Sequence, residues 1–221
     1  MKYLLTISFL VMLSFTPVKK KKVIFFGDSI TQAGANPGGY IRLMDTLIQQ
    51  EGKAGQYELT GAGIGGNKVY DLYLRMEKDV LDKNPDMVVI YIGINDVWHK
   101  TSSGTGTDLN KFEQFYKAII EKLKARDISV ILCTPTVIGE KTDNSNPQDG
   151  DLNEYSKTIR RLAREYALPL CDLRQLFAEA LKAFNPANAE RGIYTTDRVH
   201  LNPSGNMLVA KQLWEVIKQV Q

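Results

Sequence analysis

Gly27-Asp28-Ser29 stands where a short apolar run, Val23-Ile24-Phe25-Phe26, stops, and Asp197-Arg198-Val199-His200 offers a carboxylate and an imidazole three residues apart. A serine at the tip of a buried strand would turn its hydroxyl toward a substrate. An imidazole held through one ring nitrogen by a nearby carboxylate can take the serine proton on the other. The chemistry these residues suit is acyl transfer through a serine nucleophile.

Two further segments could serve such a site. Gly61-Ala62-Gly63-Ile64-Gly65-Gly66-Asn67 has two readings. Gly61, Gly63 and Gly66 fit a G-x-G-x-x-G dinucleotide pattern, after a strand and before a helix. That pattern expects an acidic residue about 20 positions later, at the end of the next strand, whereas Asp82 and Asp86 precede that strand here. The other use of the loop is to bring a glycine N–H close to a reacting carbonyl. Gly93-Ile94-Asn95-Asp96 follows the most apolar run, Val88 to Ile92. Asn95 either donates its side-chain N–H into the same site or belongs to a plain turn. His99, beside Trp98 in a polar stretch, reads as a solvated side chain. Two histidines and two cysteines offer no metal-ligand spacing, so no metal site is expected.

The elements that must position these residues are legible from Val23 onward. Short β-branched runs alternate with amphipathic stretches, the pattern of a parallel sheet covered by helices on both faces. Strands are expected at Val23–Phe26, Tyr57–Thr60, Met87–Ile92, Ser129–Thr134 and Leu168–Leu173. Helices are expected around Tyr40–Gln50, Val69–Lys83, Leu109–Ala125, Leu152–Tyr166 and Leu173–Phe184. In the second, Val69, Leu72, Tyr73, Met76, Val80 and Leu81 keep to one face. A last helix should begin at Asn202-Pro203, a natural N-cap followed by a proline at the first helical position. Val97–Thr107 and Thr136–Gly150 read as long polar loops at the carboxyl edge of the sheet, where open α/β folds bind ligands.

Composition fits a globular protein of one domain: 221 residues, 43% hydrophobic and 24% charged. Five of the positive charges, Lys2 and Lys19 to Lys22, precede residue 23 with no acid among them, so the formal charge of +3 leaves −2 for the rest. Nothing in that balance asks for nucleic acid. Residues 1–18 read as a signal peptide, with a retained N-terminal anchor as the rival, because Met1-Lys2 precedes an apolar run of signal-peptide length. The run is shorter than the roughly 20 apolar residues of a membrane span. Export to a periplasmic or extracellular location is therefore expected, with residues 19–221 as one domain and no stable membrane span after processing. Cys133 and Cys171 fall in core strands and read as buried free thiols, although a bridge between neighbouring strands is open.

Taken in order, Gly27-Asp28-Ser29, Gly66 in its glycine loop, Asn95 in Gly93-Ile94-Asn95-Asp96, and Asp197-x-x-His200 resemble the four blocks of the GDSL or SGNH esterase and lipase superfamily. The resemblance implies a three-layer α/β/α, flavodoxin-like fold with five parallel strands ordered 2-1-3-4-5. It implies Ser29 as nucleophile, His200 as general base and acid, and Asp197, in preference to Asp28, as the support of His200. The oxyanion hole would be the N–H groups of Ser29 and Gly66 and the side-chain amide of Asn95, with no metal or cofactor. One departure is that the superfamily often has Asn ahead of the glycine loop where this chain has Gly61 or Ala62, which should weaken the anchoring of that loop. The implied substrates are carboxylic esters. Polar active-site loops favour short acyl groups such as acetyl, on small molecules or carbohydrates, over the long chains of a lysophospholipase or thioesterase. A nucleotide-binding oxidoreductase and a non-catalytic carbohydrate-binding protein are the distant alternatives.

Overall fold

The computed structural model describes residues 19–220, so the expected signal segment, residues 1–18, lies outside the described residues. Five strands form one parallel sheet in the order β2-β1-β3-β4-β5. They are β1 (Lys21–Gly27), β2 (Tyr57–Gly63), β3 (Met87–Tyr91), β4 (Ser129–Cys133) and β5 (Leu170–Cys171). Each residue of β3 is buried, as an apolar central strand flanked by layers on both faces must be.

The helices are α1 (Ser29–Gly34), α2 (Tyr40–Gln50), α3 (Val69–Asp79), α4 (Ile94–Ser102), α5 (Leu109–Lys124), α6 (Asp149–Glu165), α7 (Leu173–Phe184) and α8 (Pro203–Ile217). α2 packs with α8, while α3, α5 and α6 pack in succession, giving the two outer layers. In α3 the expected apolar stripe is the buried one: Val69, Leu72 and Met76 face the core, as do Val80 and Leu81 just beyond it. Fully burying such a side chain contributes about 1.5–3 kcal/mol. α8 starts as its sequence dictates, with the Asn202 side chain accepting from Gly205 N at 3.0 Å and Pro203 at the first helical position.

Several boundaries differ from the sequence reading, and two of the differences shape the site. β2 runs on through Gly61 and Gly63, which pair in register with Phe25 and Gly27 of β1, so the glycine loop proper begins only at Ile64. The stretch expected to be a polar loop from Val97 is instead the body of α4, pinned by the buried Ile94 and Val97. β5 is cut to two residues. Cys133 and Cys171 are register partners on β4 and β5, both buried and both free thiols.

Candidate active site

The carboxyl ends of β1, β2 and β3 lie side by side, and each delivers one of the expected residues. At the end of β1 the chain turns straight into α1, with Asp28 as N-cap accepting from Ile30 N at 2.9 Å. Ser29 is therefore the first residue of the helix, where backbone N–H groups have no partner within the helix. Gly27 is what allows the turn: a Cβ there would stand 2.3 Å from both Thr31 Oγ1 and the Tyr91 carbonyl oxygen. Burial pushes the Asp28 carboxyl up to about 7; the Ile30 N–H bond opposes this and the nearby Asp96 reinforces it.

Ser29 Oγ lies 3.0 Å from His200 Nε2, and His200 Nδ1 lies 2.7 Å from Asp197 Oδ2. Asp197 Oδ1 accepts from the backbone N–H groups of Val199 and His200, at 3.1 and 2.8 Å. Partial burial alone would raise the Asp197 carboxyl, but the bonds from the His200 ring and from these two N–H groups outweigh it, and its pKa falls below the ordinary carboxylate value. The carboxylate thus stays ionised beside the ring it orients. The turn carrying both is tight: Thr196 N donates to His200 O at 2.8 Å, and Arg198 between them has a φ of 89°. A non-glycine residue held there stores strain, of a kind that persists where surrounding structure enforces it.

The glycine loop after β2 reaches over toward the serine. Gly65 N donates to Gln32 Oε1 of α1 at 2.9 Å, and Gly66 has a φ of 76°, a conformation that favours glycine. Among the described residues no acceptor takes the Gly66 N–H. Asn95, in the first turn of α4 and buried, donates from Nδ2 to the Asn67 carbonyl at 3.1 Å, which leaves its second amide hydrogen for another partner.

Arg75 of α3 was not marked by any motif. Its guanidinium donates to the carbonyls of Gly27 and Ala62, at 2.8 and 3.0 Å, and to Asn67 Oδ1 at 2.7 Å. The anchoring that the glycine loop was expected to lack comes from this side chain. His99 is also placed differently from the sequence reading. It is half-buried on α4 against Trp98, close to Gly66, and the Trp98 ring stands edge-on to His200 at 6.2 Å between centroids. Burial first, and the Lys68 charge second, lower the His99 pKa and keep the imidazole neutral. Asn95, Trp98 and His99 follow helical spacing, a signal present in the sequence once 94–102 is recognised as a helix.

A hydroxyl, an imidazole and a carboxylate in series, beside N–H groups without partners, is an arrangement able to carry out acyl transfer. A model of the GDSL-like lipase/acylhydrolase family matches residues 25–208. The chain belongs to this family. As a GDSL-like acylhydrolase it is a carboxylic ester hydrolase, and its sheet order is the one the resemblance implied. An acetylxylan esterase of Geobacillus stearothermophilus is 30% identical over 206 residues, covering 86% of this chain and 91% of its own. The crystal structure of an acetyl xylan esterase, AlAXEase, superposes with a TM-score of 0.87 at 60% identity, covering 89% of this chain and 99% of that one. An uncharacterised lipoprotein of Bacillus subtilis is 27% identical, with 85% of each chain covered.

Proposed function

We propose that the protein is a serine esterase that removes acetyl groups from carbohydrate, with Ser29 as nucleophile, His200 as general base and acid, and Asp197 as the support of His200. The observation that carries this reading is the unbroken series Ser29 Oγ to His200 Nε2 at 3.0 Å and His200 Nδ1 to Asp197 Oδ2 at 2.7 Å. In the first step Oγ bonds to the ester carbonyl carbon while its proton passes to Nε2. The carbonyl oxygen becomes an oxyanion facing the N–H groups of Ser29 and Gly66 and the Asn95 amide. Collapse of that intermediate expels the sugar alkoxide, which takes the proton from Nε2. Water then attacks the acetyl-serine with His200 again as base, releasing acetate and restoring the hydroxyl.

The relatives support an acetyl group on a carbohydrate as the substrate, since two of them are acetylxylan esterases. We further propose that residues 19–221 form one esterase domain and that residues 1–18 direct export. The apolar run after Met1-Lys2 supports export, as does a relative described as a lipoprotein. Among the described residues no helix is long and apolar enough to cross a membrane.

Labelling with a fluorophosphonate, together with hydrolysis of p-nitrophenyl esters of increasing acyl length, tests the proposal. Ser29→Ala should lose both labelling and turnover, and the wild-type rate should peak at acetyl and fall with chain length. A folded Ser29→Ala protein with full activity would remove Ser29 from the mechanism. A peak at long acyl chains would move the substrate to lipid esters.

A further inference from the structure

Ser29 sits at a strand–helix junction, but Asp197 and His200 do not. Between α7, which ends at Phe184, and α8, which begins at Pro203, the chain has no helix and no strand, only an isolated antiparallel bridge between Thr195 and Leu201. A proton-transfer site must nonetheless hold its groups to within about 0.5 Å. Something outside the segment has to fix it.

We infer that Glu140 is the positioning residue for the Asp197–His200 turn, an inference that rests on the catalytic reading of Ser29 and His200. Glu140 lies in the stretch between β4 and α6 and is fully buried. Its Oε2 accepts from Ile193 N at 2.8 Å, and its Oε1 accepts from Tyr194 N at 2.8 Å, Thr195 N at 2.5 Å and Thr195 Oγ1 at 2.8 Å. Three successive backbone N–H groups converging on one carboxylate form an anion-binding nest, and this fold fills the nest with its own side chain. Burying a carboxylate is costly unless its lone pairs are satisfied, and here four donors satisfy them.

The grip falls where it controls the imidazole. Thr195 bridges Leu201, and Thr196 N donates to His200 O, so fixing Thr195 fixes both ends of the turn. The neighbouring backbone adds to the hold: Gly139 N donates to Arg198 O at 2.8 Å and Glu140 N to Glu190 O at 2.9 Å. Glu140 itself is held by Asn185, whose Nδ2 donates to its carbonyl oxygen at 2.8 Å. The long segment after β4 thus acts as the rigid mount for a turn that has no element of its own.

Glu140→Gln tests this, because an amide of the same shape sets its NH2 against at least one of the N–H donors. Displacing a reacting group by about 1 Å costs on the order of a hundredfold, so kcat should fall by that order while KM changes less than about twofold. The downfield proton resonance of His200 Nδ1–H on Asp197 should shift or vanish in the same variant. A lower melting temperature with unchanged kcat and an unchanged resonance would assign Glu140 to stability alone and overturn the inference. If Glu140→Gln does not fold, Thr195→Val removes one of the four bonds: a several-fold loss of kcat restored by Thr195→Ser supports the inference, and an unchanged kcat overturns it. Ser29→Ala measured in parallel separates the two ideas. Activity persisting in Ser29→Ala defeats the catalytic reading on which the inference rests, whereas an inactive Ser29→Ala beside a fully active Glu140→Gln defeats only the role of Glu140.

Discussion

Asn95 Nδ2 and the Asn67 carbonyl oxygen are hydrogen-bonded at 3.1 Å. β2 and β3 are not neighbours in the sheet; β1 lies between them. The bond therefore spans the carboxyl end of β1, the strand that leads into Ser29, and ties the glycine loop to α4.

Asn95→Ala removes both this tie and one proposed oxyanion donor. Loss of one such donor costs on the order of 10²–10³ in kcat. Steady-state kinetics on p-nitrophenyl acetate should show that fall with the protein still folded by circular dichroism. A change of only a few-fold would take Asn95 out of the oxyanion hole.

Arg75→Lys should weaken the fold and the loop together. A lysine cannot reach the Gly27 and Ala62 carbonyls and Asn67 Oδ1 at once, and hydrogen bonds from a charged donor are worth about 1.5–3 kcal/mol each. Denaturant unfolding should show a loss of about 2–3 kcal/mol. A loss under about 0.5 kcal/mol, the size of an ordinary surface substitution, would show that the loop is held elsewhere.

Asp28 gives the protein a pH-dependent stability. Its folded pKa, pushed up to about 7 by burial, exceeds the ordinary 3.8. The folded state therefore binds a proton that the unfolded chain has released, and stability from this group is complete below pH 4 and declines as pH rises toward 7. One proton sets a ceiling of about 1.4 kcal/mol per pH unit on that slope. Asp28→Asn can still accept from Ile30 N as N-cap, so its melting temperature should fall less steeply than wild type between pH 5 and 7. Parallel curves would show that Asp28 is ionised throughout.

Ser29 and Asn95 of the candidate site were legible because they follow strand ends, where apolar runs stop at glycine, whereas Asp197 and His200 were legible through their own spacing. Val23–Phe26 and Val88–Ile92 mark their strands, and Gly27 and Gly93 mark the exits. α4 was not legible, because Asn95, Asp96, Thr101 and Ser102 are turn formers by local preference. Burial of Ile94 and Val97, and the bonds from Val69 N to the Asp96 carboxylate, override that preference. β2 was cut short in the sequence reading for a related reason: Gly61 and Gly63 have little strand propensity, but pairing with β1 extends the ladder through them. Arg75 and Glu140 carry no local signal, since what they do depends on carbonyls and N–H groups that only the tertiary fold brings within reach.

Ser29 and His200 stand 171 positions apart in the chain, and that separation has a consequence in time. A domain of this kind folds as a unit, and contacts distant in sequence are slow to form. The α1 turn, the glycine loop and Asn95 all lie in the first half of the chain, and the imidazole joins them only across that separation. Under the proposed mechanism hydrolysis begins only once the turn ahead of α8 has docked against the α1 turn, which makes enzymatic activity a reporter of long-range folding.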